Sequence, residues 1–270
     1  MSLRVNEKTM LSVEQFNRDG FQIVRGVLDG DEIRAVRRFL ESRIADEVAA
    51  ACAEIGCGDP ADLVSHIGRL AKDGGAGLSK ATRDTLSGHF SLEARLSEEL
   101  WRIPRSPRLR GLLQNVLRSQ SLCMHMPPTS RFVLPGNTYA GVPAHQDISY
   151  NRHMSDFVTV WVPFVDIDEA CGGVKVYRGS GANIERLARD EKDQFWLKGA
   201  PTDGFEPVHC VMQAGDVLLL SRWIVHESMP NRSTRTRIST DFRFFDERER
   251  STKHYLDMQQ WKVFAPEAVA

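Results

Sequence analysis

The chain has 270 residues, of which 41% are apolar and 26% are charged. This composition is typical of a soluble globular protein, and the length is sufficient for one large domain or two small ones. The formal net charge of −1 gives no bulk attraction to nucleic acid or to an anionic membrane, and no apolar run approaches the length of a membrane span.

The N-terminus and the cysteines point to a reduced compartment. The first ten residues lack the apolar core of a secretory signal. The five cysteines are scattered and odd in number, which does not resemble a disulfide framework. We therefore expect reduced thiols in a cytoplasmic protein: Cys52, Cys57, Cys123, Cys171 and Cys210.

The first 118 residues are predicted to be mainly helical. A capping-box pattern begins at Ser12, and Gly20 is placed to end the short helix that follows. Residues 21–24 form a predicted strand, after which Asp29 or Asp31 caps a longer helix. Residues 41–117 continue as helices, interrupted by a glycine-rich loop at 74–77. The last helix, 107–117, has an apolar face made of Leu109, Leu112, Leu113 and Val116.

After residue 120 the pattern changes to short runs rich in Val, Phe, Trp and Thr, which are typical of strands. Turns are predicted at 171–173 and 214–216, and a charged helix at 182–196. A helical front half followed by a many-stranded back half predicts an α+β fold with an antiparallel sandwich or barrel. The predicted strands are 130–134, 157–165, 174–177, 208–212, 217–220 and 238–245.

The triplet His145-Gln146-Asp147 is the first candidate metal site. In an extended strand, residues i and i+2 point to the same face, so the imidazole and the carboxylate converge. Two histidines and one carboxylate on one face of Fe(II) leave three positions open for a cosubstrate and oxygen. Alone, the triplet is weak evidence, because most such triplets are accidental and consist of a surface histidine beside a solvated aspartate.

The second histidine must come from elsewhere in the chain. His226 follows a turn and a strongly apolar strand, although a buried histidine in the core would show the same pattern. Arg237 lies 11 residues later, which is far enough for the chain to turn and return on the adjacent strand. A guanidinium there can hold a carboxylate through two parallel hydrogen bonds, as the far carboxylate of 2-oxoglutarate requires.

These features, in this order and spacing, resemble the phytanoyl-CoA dioxygenase family. Residues 11–33 are similar to the N-terminal helix and strand of the family, and residues 144–147 to its H-x-D motif. Residues 159–166 and 172–176 are similar to the strands that follow. Residues 215–216 and 226–231, with Arg237 after them, are similar to the region of the distal histidine and the cosubstrate arginine.

The resemblance implies a double-stranded β-helix, or cupin-like jelly roll, flanked by helices. It implies one domain over 1–270, with a helical flank at 1–118, the jelly-roll core at 119–250 and a C-terminal tail at 251–270. It also implies Fe(II) bound by His145, Asp147 and His226, with 2-oxoglutarate and O2 as cosubstrates. Arg237 would pair with the far carboxylate of 2-oxoglutarate, in a pocket lined by Ser228 and Trp161.

The resemblance further implies the type of reaction. Related halogenases replace the carboxylate of the triad by a small residue, so Asp147 favours hydroxylation, with succinate and CO2 as coproducts. Family members often carry Pro-Gly-Ser-His where this chain has 178–181 as Arg-Gly-Ser-Gly, a change at the rim of the site that concerns the substrate.

The substrate is predicted to be a small polar or anionic molecule. The residues around the H-x-D motif are polar or aromatic, and four of them are candidate substrate contacts: Tyr139, Tyr150, His153 and Arg131. The remaining histidines have no ligand partner at a suitable spacing and are interpreted as surface or core residues: His66, His89, His125, His209 and His254.

Two alternative functions stay open at this point. A cupin-like isomerase or hydrolase would use the same metal without oxygen and would need no cosubstrate arginine. A non-catalytic binding protein can also be built on the same fold, because a fold does not dictate a function.

Overall fold

The computed structural model describes residues 11–181, 202–249 and 251–266. Its front half is helical, as predicted, while the helix predicted at 182–196 lies outside the described residues. The longest helix has 26 residues, and a 3-10 helix at Pro60–His66 follows it. The α-helices are α1 (Val13–Asp19), α2 (Gly30–Ile55), α3 (Ile67–Asp73), α4 (Lys80–Leu86), α5 (Leu92–Arg95), α6 (Arg102–Arg105) and α7 (Pro107–Leu117).

The ends of the first helices follow the local sequence. The Ser12 hydroxyl accepts a hydrogen bond from the Gln15 amide, and Gly20 ends α1 with φ of +81°, a conformation that favours glycine. At the start of α2, the cap is Asp29, whose side chain accepts hydrogen bonds from the amides of Asp31 and Glu32.

The strands form two sheets among the described residues. The larger sheet has the order β1-β7-β4-β9-β2-β10-β11, with β3 also paired to β9, and the smaller sheet has the order β6-β5-β8. Neighbouring strands in both sheets pair antiparallel. The strands are β1 (Phe21–Val24), β2 (Leu122–His125), β3 (Thr129–Val133), β4 (Val158–Pro163), β5 (Gly173–Arg178), β6 (Glu206–His209), β7 (Val217–Ser221), β8 (His226–Met229), β9 (Arg237–Asp246), β10 (Tyr255–Asp257) and β11 (Lys262–Phe264).

Each strand predicted after residue 120 is present, with shifts at its ends. Four strands were not predicted: β2, β8, β10 and β11. They have only three or four residues each, which is too short for a clear alternation of apolar and polar side chains. The last two lie in the segment predicted as a C-terminal tail, and they extend the larger sheet beyond β2.

The central strands of the larger sheet are buried on both faces, and their successive side chains point alternately into two different cores. In β4, Val160 packs into the core that the sheet shares with the helices, whereas Trp161 packs into the core between the two sheets. In β7, Leu219 likewise packs into the core shared with the helices, and Leu218 packs into the core between the sheets. This arrangement of helices, a large sheet and a smaller facing sheet confirms the predicted α+β jelly-roll class.

The inner face of β9 is polar, unlike its outer face. Phe242 and Phe244 pack toward the helices, but the alternate residues Arg237, Asp241 and Arg243 line a cavity between the sheets. The fold therefore directs a row of charged side chains inward, where a functional site is the expected reason for their burial. In the described parts of the chain, no helix has the length and apolar character needed to cross a bilayer.

Candidate active site

A pair of backbone hydrogen bonds brings the candidate metal ligands together. The His145 amide donates to the His226 carbonyl and the His226 amide to the His145 carbonyl, each at 3.0 Å. Gln146 is extended, so Asp147 points to the same side as His145. The expectation that the triplet lies within a strand is wrong, because a 3-10 helix begins at Asp147 and only one residue pair bridges to β8.

The side chains of the triad are buried and face one point. The Nε2 atoms of His145 and His226 lie 3.7 Å and 3.9 Å from Asp147 Oδ1. Two ligand atoms that each lie about 2.1 Å from one ion are at most about 4.2 Å apart, so these distances fit a shared ion. His145, Asp147 and His226 form the one such cluster found among the described residues.

Backbone carbonyls fix the orientation of both imidazoles. His145 Nδ1 lies 2.8 Å from the Pro143 carbonyl oxygen, and His226 Nδ1 lies 3.0 Å from that of Ile224. A carbonyl only accepts, so each Nδ1 carries the proton and each Nε2 keeps its lone pair for a metal. Burial and the neighbouring His145 lower the pKa of His226 to about 4, which keeps it in the neutral form that binds metals.

Two side chains support the carboxylate of the triad. The Thr159 hydroxyl on β4 donates to Asp147 Oδ2, and Arg243 Nη2 on β9 donates to Oδ1 at 3.2 Å. Burial alone would raise the pKa of Asp147, but the Arg243 charge and the two histidines outweigh it and hold the pKa well below its usual range. The carboxylate is therefore ionised and oriented, as a metal ligand must be.

Removal of the Thr159 hydroxyl is expected to weaken metal binding without removing a ligand. Thr159→Val keeps the shape of the side chain but frees one carboxylate oxygen, and the loss of such a supporting hydrogen bond typically lowers metal affinity about 10- to 100-fold. Thr159→Ser keeps the hydroxyl and is the matched control. Anaerobic Fe(II) titration of the three proteins measures the effect, and equal affinity in Thr159→Val would show that the hydroxyl has no orienting role.

A cavity of about 620 Å³ opens beside the triad, and Arg237 lies in its wall. Arg237 is 5% exposed, and its Nη1 donates to the Met229 carbonyl at 2.7 Å and to the Cys171 carbonyl at 3.4 Å. No acidic side chain of the described residues forms an ion pair with it. Burial lowers the pKa of Arg237 to about 10, so it is a buried cation at neutral pH, and an incoming carboxylate would compensate its charge.

The path of the chain from His226 to Arg237 differs from the expected one. His226 begins β8 in the smaller sheet, whereas Arg237 begins β9 in the larger sheet. The expectation of an adjacent strand is therefore wrong, because the chain crosses from one sheet to the other. The consequence is that His226 and Arg237 line the same cavity from strands of two different sheets.

Gly172 allows the chain to approach the guanidinium of Arg237 closely. A Cβ at this position would lie 2.5 Å from the Pro230 carbonyl oxygen and 2.9 Å from Arg237 Nη1. The residue also has φ of +83°, which side chains other than hydrogen disfavour.

Gly172→Ala is expected to displace Arg237 and to lower affinity for a carboxylate cosubstrate several-fold, because both the carbonyls and the guanidinium must shift. Gly56→Ala is the matched control, with φ of +81° and no atom within 4 Å of the added Cβ. Both variants carry backbone strain of about 1–2 kcal/mol, so thermal unfolding reports that shared cost. Isothermal titration with 2-oxoglutarate should separate them, and equal affinities would contradict the crowding argument.

The predicted pocket and substrate residues lie mostly around this cavity. Ser228 and Trp161 line it, as do Tyr139, Tyr150 and Arg131. His153 does not line the cavity. Its Nε2 lies 3.2 Å from Nδ1 of His125, and His125 does line the cavity. The substrate-contact roles stay predictions.

Sequence reasoning missed several residues that line the cavity. His89 and His125 were interpreted as isolated surface or core histidines, yet both face the cavity. The alternation along β9 could have identified Asp241 and Arg243 as neighbours of Arg237 on one face. Lys253 gave no signal, because it lies in the segment predicted as a tail.

Two sheets that enclose a cavity, with a His-Asp-His triad and a buried arginine in its walls, define a non-haem iron oxygenase that depends on 2-oxoglutarate. The chain belongs to the phytanoyl-CoA dioxygenase family, whose model matches residues 16–239. The predicted family and enzyme class are thereby confirmed, together with iron, 2-oxoglutarate and O2 as the cofactor and cosubstrates of this class.

The chain is similar to a hydroxylase and to two alpha-ketoglutarate-dependent enzymes from nogalamycin biosynthesis. The chain is 25% identical over 227 residues to 1-deoxypentalenic acid 11-beta-hydroxylase of Streptomyces exfoliatus, which covers 80% of this chain and 72% of that protein. Its fold is similar to that of the alpha-ketoglutarate-dependent carbocyclase SnoK from nogalamycin biosynthesis, at 17% identity and a TM-score of 0.58, over 96% of this chain and 92% of that chain. The fold is also similar to that of the epimerase SnoN in complex with Fe3+, alpha ketoglutarate and nogalamycin RO, at 18% identity and a TM-score of 0.57. The match covers 87% of this chain and 82% of that chain.

Proposed function

We propose that the protein hydroxylates a small polar molecule, with Fe(II) held by His145, Asp147 and His226, and with succinate and CO2 as coproducts. One observation carries the proposal: the triad and Arg237 line a single cavity, with His226 on β8 of the smaller sheet and Arg237 on β9 of the larger sheet. A metal-dependent isomerase or hydrolase would not require a buried cation in the wall of that cavity.

The residues of the chain divide the work of binding and orientation. Arg237 would hold the far carboxylate of 2-oxoglutarate through two hydrogen bonds, and Ser228 and Trp161 line the same cavity. Thr159 and Arg243 keep the Asp147 carboxylate oriented toward the ion. When bound, iron and 2-oxoglutarate supply the oxidising chemistry, in which O2 is consumed, 2-oxoglutarate loses CO2 to become succinate, and the substrate gains oxygen.

The lining of the cavity supports a polar substrate. Arg131 lies on β3, which pairs with β9, and it donates from Nη2 to the carbonyls of Ser87 and Ala140, at 3.1 Å and 2.8 Å. His89, His125 and Tyr150 also line the cavity. A purely hydrocarbon substrate would remove water from these polar groups and give them no hydrogen bond in return, at a cost in binding free energy. We also propose a cytoplasmic location for the reaction, which stays a prediction.

Product mass and coproduct release test the proposal together. The iron-loaded protein is incubated with 2-oxoglutarate and with matched sets of amino acids, 2-hydroxy acids, unsubstituted carboxylic acids and terpenoid acids, and O2 uptake, succinate and product mass are recorded. Hydroxylation predicts 2-oxoglutarate-dependent succinate release and a product heavier by one oxygen atom. Loss of two hydrogens would replace hydroxylation by desaturation or ring closure, and an unchanged mass would indicate epimerisation. Metal-dependent turnover without 2-oxoglutarate would overturn the oxygenase assignment.

A further inference from the structure

Asp241 is an acidic residue in the wall of the cavity to which the proposed reaction assigns no role. It lies on the inner face of β9, four residues beyond Arg237 and two before Arg243. Its partners in the register are Thr129 on β3 and Trp161 on β4, both of which also line the cavity. The carboxylate is therefore placed in the interior by three neighbouring strands.

The other acids that line the cavity are paired, and Asp241 is not. Asp147 accepts hydrogen bonds from Thr159 and Arg243, and Glu227 forms an ion pair with Lys175 at 2.5 Å. Among the described residues, no hydrogen bond or ion pair joins the Asp241 carboxylate to another side chain or to a backbone amide. An ionised carboxylate that is held in the interior without a hydrogen bond lowers the stability of the protein, and a donor on a ligand would offset that cost.

The nearby cations are committed to other partners. Arg243 donates to Thr129 Oγ1 and to Asp147 Oδ1, each at 3.2 Å, although it is the next inward-facing residue along the strand. Arg131 donates to two backbone carbonyls. Burial raises the pKa of Asp241 to about 6, despite the opposing charge of Arg243, in agreement with the absence of a close partner.

We propose that the Asp241 carboxylate accepts a hydrogen bond from a hydroxyl or an ammonium group of the substrate. It thereby selects small molecules that carry such a donor. The inference rests on the proposed function, because it concerns the substrate of the same cavity. It adds a specific requirement to a polar substrate: the molecule must present an N–H or O–H group toward β9. Asp241 is thus a specificity-determining residue, separate from the metal ligands and from the arginine that holds the cosubstrate.

The binding test compares matched acids that differ only in the donor: amino acids, the corresponding 2-hydroxy acids and the corresponding unsubstituted acids. Binding to the wild type and to Asp241→Asn, both loaded with Mn(II) and 2-oxoglutarate, is measured by isothermal titration. We expect a preference of at least about tenfold for members with a donor in the wild type, since one hydrogen bond to a charged group contributes about that much. The amino-acid and hydroxy-acid arms show which donor is used. We expect Asp241→Asn to lose this preference while its affinity for 2-oxoglutarate stays within twofold.

A second measurement needs no ligand. If the Asp241 carboxylate is reserved for a substrate, its neutralisation in Asp241→Asn should raise the Tm of the substrate-free protein at about pH 8, by about 2 °C or more. Glu227→Gln is the matched control, because its carboxylate is already paired and its Tm should fall.

Three results would overturn the proposal. The first is a wild type without a preference for acids that carry a donor, which includes the case that no member binds. The second is an unchanged preference in Asp241→Asn, and the third is a lower Tm in Asp241→Asn. A failure of the proposed function is distinct from these, because it would appear as wild-type protein that releases no succinate from 2-oxoglutarate.

Discussion

His226→Ala is expected to remove iron binding and turnover together. The side chain supplies one of three ligands, its Nδ1 is fixed by the Ile224 carbonyl, and His145 is the one other histidine of the cluster found among the described residues. Loss of a supporting hydrogen bond alone typically lowers metal affinity about 10- to 100-fold, so loss of the ligand should exceed about 100-fold. Anaerobic Fe(II) titration and 2-oxoglutarate-dependent O2 uptake measure the two effects.

The matched control for this variant is His254→Ala, which removes an exposed imidazole that does not line the cavity. It should bind iron as the wild type does. Wild-type iron affinity in His226→Ala, with circular dichroism showing a folded protein, would show that the triad is not the metal site.

Arg237→Ala is expected to weaken 2-oxoglutarate binding by about 100-fold or more while iron binding stays unchanged. The variant removes two hydrogen bonds to a charged carboxylate, each of which contributes about 1.5–3 kcal/mol, and about 1.4 kcal/mol corresponds to tenfold in affinity. The hydrogen bonds of Arg237 go to the carbonyls of Met229 and Cys171 and not to a metal ligand, so its truncation leaves the ligands in place. The KM for 2-oxoglutarate and its Kd by titration both report the change.

Arg237→Lys is the conservative comparison. Lysine keeps the charge but cannot form two parallel hydrogen bonds, so its affinity should lie between those of the wild type and Arg237→Ala. If Arg237→Ala keeps wild-type KM and activity, the cosubstrate binds elsewhere, and the isomerase or hydrolase alternative regains support.

The sequence predicted the metal cluster because the relevant signals are local. His145 and Asp147 are separated by one extended residue, so their side chains share a direction even though no regular strand contains them. The apolar run of β7 before His226 was also readable, because both faces of that strand are buried.

Other parts of the site depend on contacts that local patterns do not encode. The hydrogen bond of Arg243 to Asp147 joins residues 96 positions apart, so no local pattern predicts it. The side of the cavity on which Arg237 lies depends on the sheet that β9 joins, which an 11-residue spacing does not specify. His125 reaches the cavity from β2, a four-residue strand without a readable period.

A crystal structure of the protein with Mn(II) and 2-oxoglutarate, prepared without oxygen, tests the central claim most directly. We predict one ion within about 2.0–2.3 Å of His145 Nε2, Asp147 Oδ1 and His226 Nε2. We also predict that the far carboxylate of 2-oxoglutarate forms two hydrogen bonds with the Arg237 guanidinium. An ion bound away from these three atoms, or 2-oxoglutarate bound without contact to Arg237, would contradict the account.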